Sequence, residues 1–299
     1  MNEVAAALRE ILQGPVLVGE PLRRHTTWRI GGPAALFISP QTEEELLAAL
    51  HLLARVKMPW MALGTGSNLL VRDGGFRGAV IHMGDLQSMT FRGDGTAKVG
   101  GGLSMMRLIR QAVKRGLAGL EDLAGIPATV GGAVKMNAGA GGQDMAGVLE
   151  GAFLAGGDGM EYWPASRLDM RYRASAVPFD RIVAAAVLRF TPGDPEMLSL
   201  SVQQRLMARR KAQGVGKPNA GSVFKNPPGQ QAWRLIDDSG LRGHSVGGAQ
   251  ISEKHANFII NRGGARAADV LSLIGEIQEV VQRRTGIMLE PEVQVVGEV

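Results

Sequence analysis

Residues 59–83 read PWMALGTGSNLLVRDGGFRGAVIHM. An apolar run from Pro59 to Gly64 gives way to a loop rich in Gly, Ser, Asn and Asp, and a second apolar run, GAVIHM, follows from Gly78 to Met83. Short apolar runs bounded by turn residues read as buried strands. Just upstream, Thr42 stands three residues before Glu45 at the head of LLAALHLLARV, a capping box opening an amphipathic helix, and Pro59 follows soon after its end. Strand, helix and strand in that order predict an α/β lobe.

Outward from this unit, Val4 to Leu12 reads as a short amphipathic helix. RRHTTWRIGGPAALFIS reads as strand, turn and strand, with Gly31, Gly32 and Pro33 in the turn. Downstream, Ser104 precedes MMRLIRQAVKRG, whose apolar positions 105, 108, 109 and 113 repeat at helical spacing. Strands are expected at LEGAFLAG, MEYWPA and IVAAAVLRF. TPGDPE marks a junction near residue 193. Beyond it come a basic helix over Leu198 to Lys211, a helix near Gln231 to Asp238, short strands at AQI and ANFIIN, and a long helix from about Ala267 to Thr285 with Ile274, Ile277 and Val281 on one face. The last segment, IMLEPEVQVVG, reads as an edge strand in which Glu290 and Glu292 face the same way.

Composition narrows the chemistry. Glycine fills 42 of 299 positions, about twice the usual ~7%, without the period of a collagen or the bias of a disordered chain. Zero Cys removes disulfides, thiolate nucleophiles and Cys-ligated metals. The five His, at 25, 51, 82, 244 and 255, form no metal-ligand spacing, so no metal is expected. No signal-like N-terminus and no membrane-length apolar run is seen, so the expectation is a cytoplasmic protein without membrane insertion. The +5 net charge admits a nucleic-acid surface or an anionic small substrate. Basic residues are not interleaved with aromatics, which argues against a nucleic-acid partner.

Neither GxGxxG nor a Walker A motif occurs. Two glycine loops of another form remain, Gly64 to Leu70 and Gly125-Ile-Pro-Ala-Thr-Val-Gly-Gly-Ala-Val-Lys-Met-Asn-Ala-Gly139. Both offer backbone N–H groups with little side-chain bulk, as close approach to a pyrophosphate requires, and Ser67, Asn68, Thr129 and Asn137 add neutral donors. Each loop alone could equally be a tight turn; the pair favours a phosphate site.

Six ordered motifs, HTTWRIGGPA, LGTGSNLLVRDGGFRG, GIPATVGGAVKMNAGA, RYRAS, NAGSVFKNP and LEPEV, resemble the UDP-N-acetylenolpyruvoylglucosamine reductases of peptidoglycan synthesis from about His25 to Val296. The resemblance implies a vanillyl-alcohol-oxidase (PCMH) type FAD-binding fold of two α/β lobes plus a C-terminal α+β substrate domain. The expected boundaries are 1–75 with strand 287–299 returning to it, 76–193, and 194–286. It also implies non-covalent FAD, NADPH, a UDP-sugar substrate and a monomer. The region after residue 193 has no Tyr, which points to the shorter, type II subclass lacking the tyrosine lid.

By similarity, FAD contacts fall on Gly64, Thr65, Gly66, Ser67, Asn68 and Leu69, and on Gly125, Thr129, Gly131, Gly132, Ala133, Asn137, Ala138 and Gly139. Arg173 matches the catalytic arginine, Ser222 the proton donor and Glu292 the catalytic glutamate, with Glu290 as second choice. Tyr172, Arg173, Lys211, Lys217, Lys225, Asn226 and His255 are the substrate-binding candidates, and Lys225 is a cation that could assist Ser222. Arg209 and Arg210 are also near the serine loop, although basic residues on a helix face are usually only solvated. Gly141-Gly142-Gln143 departs from the resemblance, since family members often carry an aromatic there. Two other readings account for less of the pattern: a different FAD-dependent oxidoreductase of the same fold, and a non-catalytic UDP-sugar binder.

Overall fold

The computed structural model describes all of residues 1–299. Its chain divides into two compact units, each assembled from separate stretches. The first comprises 1–18, 36–65 and 78–209, and the second 19–35, 66–77 and 210–299.

In the first unit the helix Glu43–Arg55 starts where the capping signal placed it. Thr42 Oγ1 accepts from Glu45 N at 3.2 Å, and the Glu45 carboxylate reaches back to Gln41 N at 2.8 Å. Leu46, Ala49, Leu50 and Leu53 turn inward and pack with Leu8, Leu36, Ile38 and Ile81. The strands Trp60–Leu63 and Phe76–His82 run parallel, in a sheet ordered Val16–Pro21, Pro33–Ile38, Phe76–His82, Trp60–Leu63.

A five-stranded antiparallel sheet, ordered Gly159–Pro164, Leu149–Gly156, Ile182–Arg189, Thr96–Gly100, Met89–Phe91, carries the other core of this unit. The helix Met105–Val113 covers it with Met105, Leu108, Ile109 and Ala112. Ser104 is its N-cap residue but makes no side-chain cap bond.

The second unit has its core around Trp28, Phe224, Ile236, Ile251, Leu273 and Ile277. It holds the three-stranded antiparallel sheet Ser245–Val246, Ala249–Ile251, Ile259–Asn261 and the long helix Ala267–Thr285. That helix is capped from a distance, its first amides, Ala267 N and Ala268 N, binding the Asp73 carboxylate at 2.9 and 3.1 Å. The strand Gln294–Val296 pairs in parallel with Leu69–Val71.

Three expectations are corrected. HTTWRI is not a strand: after a 3-10 turn at Leu22–Arg24 the chain coils, with Arg29 at φ 55° and Thr26 Oγ1 donating to Ile30 O at 2.8 Å. A left-handed residue breaks a β-ladder. The burial of Trp28, whose Nε1 donates to Ile259 O at 2.7 Å, fixes that coil. IMLEPEVQVVG is not one continuous edge strand: Pro291 makes only an isolated bridge to Phe224, and the regular strand begins at Gln294. The chain also changes unit at residues 209 and 210 instead of near 193. The reason is that Leu198, Val202 and Leu206 of the helix Pro195–Gln213 pack on the first unit's core. No helix is long and apolar enough to cross a membrane.

Candidate active site

Within the first unit the two glycine loops meet. Thr65 Oγ1 donates to Pro127 O at 2.6 Å, and a Cβ on Gly64 would stand 2.5 Å from Thr129 Oγ1. Gly64 is therefore required by close approach. Thr129 caps the short helix Val130–Lys135, its Oγ1 accepting from Gly132 N at 3.3 Å.

Several backbone amides of the second loop are engaged within the protein. Ala128 N binds Ile126 O, Val130 N binds Leu103 O, Gly131 N binds Gly101 O, Asn137 N binds Val134 O and Ala138 N binds Ala133 O. Gly125 N points at Met106 Sδ, 3.0 Å away. The glycines here serve close packing: a Cβ on Gly131 would lie 3.0 Å from both Gly101 O and Val183 O, whereas one on exposed Gly132 would meet only Thr129 Oγ1 at 3.4 Å.

The side chain of Asn137 is engaged within the protein as well. The residue is 2% exposed. Both amide hydrogens are spent, on Asp144 Oδ2 at 3.1 Å and Arg171 O at 3.0 Å, and its Oδ1 accepts from Ala146 N at 3.0 Å. The amide group thus ties together residues 144, 146 and 171.

Arg173 sits in a tight turn in which Arg171 and Ala174 exchange backbone hydrogen bonds at 2.9 and 3.1 Å. It is itself left-handed, at φ 56°, a conformation uncommon for a long side chain and a frequent mark of functional sites. Its Nη2 donates to Gly139 O at 2.7 Å, and its guanidinium carbon lies 5.0 Å from the ring of Tyr172, which is exposed. Ser175 Oγ, at the end of the turn, donates to Lys135 O at 2.7 Å.

Arg209 completes this cluster, although in sequence it reads as one cation on a basic helix. It is half-buried against Gly125. Burial first, and then the charge of Arg173, hold it below the ordinary arginine value. A partly desolvated guanidinium beside a second one is arranged for an anion. In sequence, nothing distinguishes it from Arg210 or Lys211, which are exposed.

Gln143, where the resemblance would place an aromatic, is tied to the neighbouring 3-10 turn instead. Its Oε1 accepts from Asp122 N at 2.9 Å and its Nε2 donates to Glu121 Oε2 at 3.1 Å.

The second unit holds the remaining candidates. Gly66, at φ 61°, has no room for a side chain, since a Cβ would lie 2.2 Å from His25 O. Asn68 Nδ2 donates to Glu292 O at 3.1 Å, and Asn68 O accepts from Gln294 N at 3.0 Å. This side chain from the first glycine loop thereby anchors the glutamate segment.

Residues 223–225 and 290–292 pair locally through Glu292 N to Val223 O at 2.7 Å and Lys225 N to Glu290 O at 2.9 Å, around the Phe224–Pro291 bridge. Ser222 thus precedes the residue that holds Glu292. Glu290 is engaged by Lys225, whose Nζ lies 2.6 Å from its Oε1. That pair also occupies the cation expected to assist Ser222.

Asn226 Oδ1 accepts from Ala232 N at 3.0 Å and so caps the helix Ala232–Asp238. His255 packs against Phe258 and Trp233, with ring centroids 4.6 and 6.2 Å away, and its Nδ1 is buried without a hydrogen-bond partner. Burial lowers its pKa. Lys211 and Lys217 are exposed. No group of three or more His, Asp or Glu side chains is placed to hold a metal ion.

Comparison with known proteins places these features in a family context. Residues 34–156, which contain both glycine loops, match an FAD binding domain. Residues 213–296 match the C-terminal domain of UDP-N-acetylenolpyruvoylglucosamine reductase. The chain is 70% identical over 298 residues to the UDP-N-acetylenolpyruvoylglucosamine reductase of Syntrophotalea carbinolica, with all of both chains covered. It is 46% identical to that of Geobacter metallireducens, with 99% of each covered.

Among solved structures, the UDP-N-acetylenolpyruvylglucosamine reductase of Thermus caldophilus superposes with a TM-score of 0.81 at 38% identity, covering 96% of this chain and 100% of that one. An alkyldihydroxyacetonephosphate synthase, at TM-score 0.50 and 16% identity over 64% of this chain and 44% of its own, shares the fold alone. The expected PCMH-type FAD fold is thereby established.

Proposed function

The chain belongs to the UDP-N-acetylenolpyruvoylglucosamine reductase family, and from that premise we propose that it is an FAD oxidoreductase that reduces UDP-N-acetylglucosamine enolpyruvate to UDP-N-acetylmuramate at the expense of NADPH. When bound, FAD would supply the two-electron chemistry that links NADPH oxidation to hydride addition, through flavin N5, at the enolpyruvyl methylene carbon. The junction of Gly64 and Thr65 with Pro127 and Thr129 supports the fit of a dinucleotide, because it brings the two glycine loops of the FAD-domain match side by side. Thr129 Oγ1 accepts from Gly132 N, which leaves its hydroxyl proton to donate to that group.

As hydride reaches the methylene carbon, negative charge grows on the neighbouring carbon and its carboxylate. Arg173 would hold that carboxylate through its guanidinium, an interaction that strengthens as charge builds. Arg209 supplies a second positive charge to the same anion or to the diphosphate. Ser222 gives the proton that completes the reduction. Glu292, held by its backbone to Val223 and Asn68, stabilises the site as that proton moves.

The observation that carries this reading is the left-handed turn that sets Arg173 beside the half-buried Arg209, in the same unit as Gly64, Thr65 and the second glycine loop. Anaerobic stopped-flow tests it by following flavin colour, with NADPH first and the UDP-sugar second. Ser222→Ala should bleach with NADPH at a near-normal rate and recolour slowly with the enolpyruvyl substrate. Recolouring as fast as the wild type would remove Ser222 from its role.

A further inference from the structure

We propose that Asn137 is the positioning residue for Arg173, and that it works by fastening the turn 171–174 to the hairpin 139–144. The inference rests on the reading of Arg173 as the group that holds the substrate carboxylate. Three observations carry it.

First, Arg173 is anchored at its two ends, by the hairpin and by Asn137 just before it. Its guanidinium donates to Gly139 O, and the carbonyl of Arg171, two residues before it, accepts from Asn137 Nδ2. Second, the same Asn137 fixes the other strand of that hairpin through Asp144 Oδ2 and Ala146 N, while Asp144 pairs with Gly139 across the ladder. Third, Asn137 is itself left-handed, at φ 40°, and its side chain is buried. Asparagine is among the few residues that combine this backbone with a planar group able to donate twice and accept at the same time.

A guanidinium that must meet a carboxylate through two N–H bonds tolerates little displacement. Misplacement by about 1 Å costs on the order of 100-fold in rate, and loss of a supporting residue typically costs about 10–100-fold.

The test uses the full-length chain with FAD bound. Asn137→Gly keeps the left-handed backbone and removes all three ties. Its recolouring by the enolpyruvyl substrate, at saturation, should slow about 10–100-fold, while bleaching by NADPH stays within about twofold. Hydrogen exchange read by mass spectrometry should rise in the peptide covering 169–176. In an Arg173→Ala background Asn137→Gly should add less than about twofold, because coupled residues do not lose the same interaction twice.

Because Asn137→Gly could simply loosen the fold, a second variant separates the roles. Asn137→Asp combined with Asp144→Asn restores a donor–acceptor pair between 137 and 144 and the acceptor for Ala146 N, but leaves an oxygen facing Arg171 O. It loses only the tie to Arg171 O, so it should melt above Asn137→Gly and stay folded at the assay temperature yet recolour slowly. Normal recolouring in that stable double variant overturns the proposal. So does an Asn137→Gly effect that multiplies in full onto Arg173→Ala. If Arg173→Ala itself recoloured normally, the reading of Arg173 would fail first, and the inference with it.

Discussion

Gly131 and Gly132 are neighbours on one short helix, so alanine at each adds the same methyl group to the same secondary structure with opposite expected results. Alanine in a helix is favoured over glycine by about 1 kcal/mol. At 132 the new Cβ meets only Thr129 Oγ1 at 3.4 Å, an ordinary contact. The apoprotein should therefore gain most of that energy, a rise of about 2–4 °C in melting temperature.

At 131 the Cβ would lie 3.0 Å from two carbonyl oxygens, Gly101 O and Val183 O. Neither can retreat freely, since Gly101 O accepts from Gly131 N at 2.8 Å and Gly101 N donates to Ala184 O at 2.6 Å. Overpacking of this kind costs about 1–3 kcal/mol. Set against the same helical gain, Gly131→Ala should be destabilising by roughly 0–2 kcal/mol.

Thermal melts of the two apoproteins, paired with FAD titration by fluorescence quenching, give the comparison. If the open side of Gly132 is where the cofactor lies, Gly132→Ala should weaken FAD binding about tenfold or more while stabilising the apoprotein. Equal stabilisation by both substitutions would refute the packing argument. Unchanged FAD affinity in Gly132→Ala would refute the placement of the cofactor.

Three further outcomes are expected. Glu292→Gln should slow substrate-driven recolouring by about 100-fold or more, whereas Glu290→Gln, which loses only the partly exposed pair with Lys225, should stay within about threefold; stopped-flow traces with the order reversed would undo the assignment of Glu292. Trp28→Phe leaves Ile259 O without its donor, and urea unfolding should show a loss of about 1–3 kcal/mol, with a smaller change counting against that bond as the clamp of the coil 25–30. His255 has its pKa lowered chiefly by burial, so the unfolded chain binds the proton more readily, and the stability this confers is complete above about pH 6.5 and lost as pH falls below it. His255→Phe should therefore gain melting temperature relative to the wild type at pH 5 compared with pH 8, and a difference that does not change with pH would exclude His255 as the source.

The sequence by itself determined the parts whose information is local. Thr42 and Glu45 cap their helix three residues apart, Ile274, Ile277 and Val281 repeat at helical spacing and are buried or nearly so, and the runs 60–63 and 76–82 form parallel strands. It also determined the family, because six ordered motifs survive as linear strings. Tertiary structure alone decided what depends on partners far along the chain.

Glu290 and Glu292 look equivalent until Lys225, 65 residues away from Glu290, claims one of them and Asn68 the backbone of the other. Asn137 reads as a ligand donor until Arg171, Asp144 and Ala146 take its whole amide. Arg209 reads as one charge on a solvated helix until Gly125 buries it beside Arg173. Periodicity and caps are set by neighbours within a turn or two, whereas the fate of a polar group is set by which other polar group fills its hydrogen-bonding capacity once water is excluded, and that depends on the packed chain.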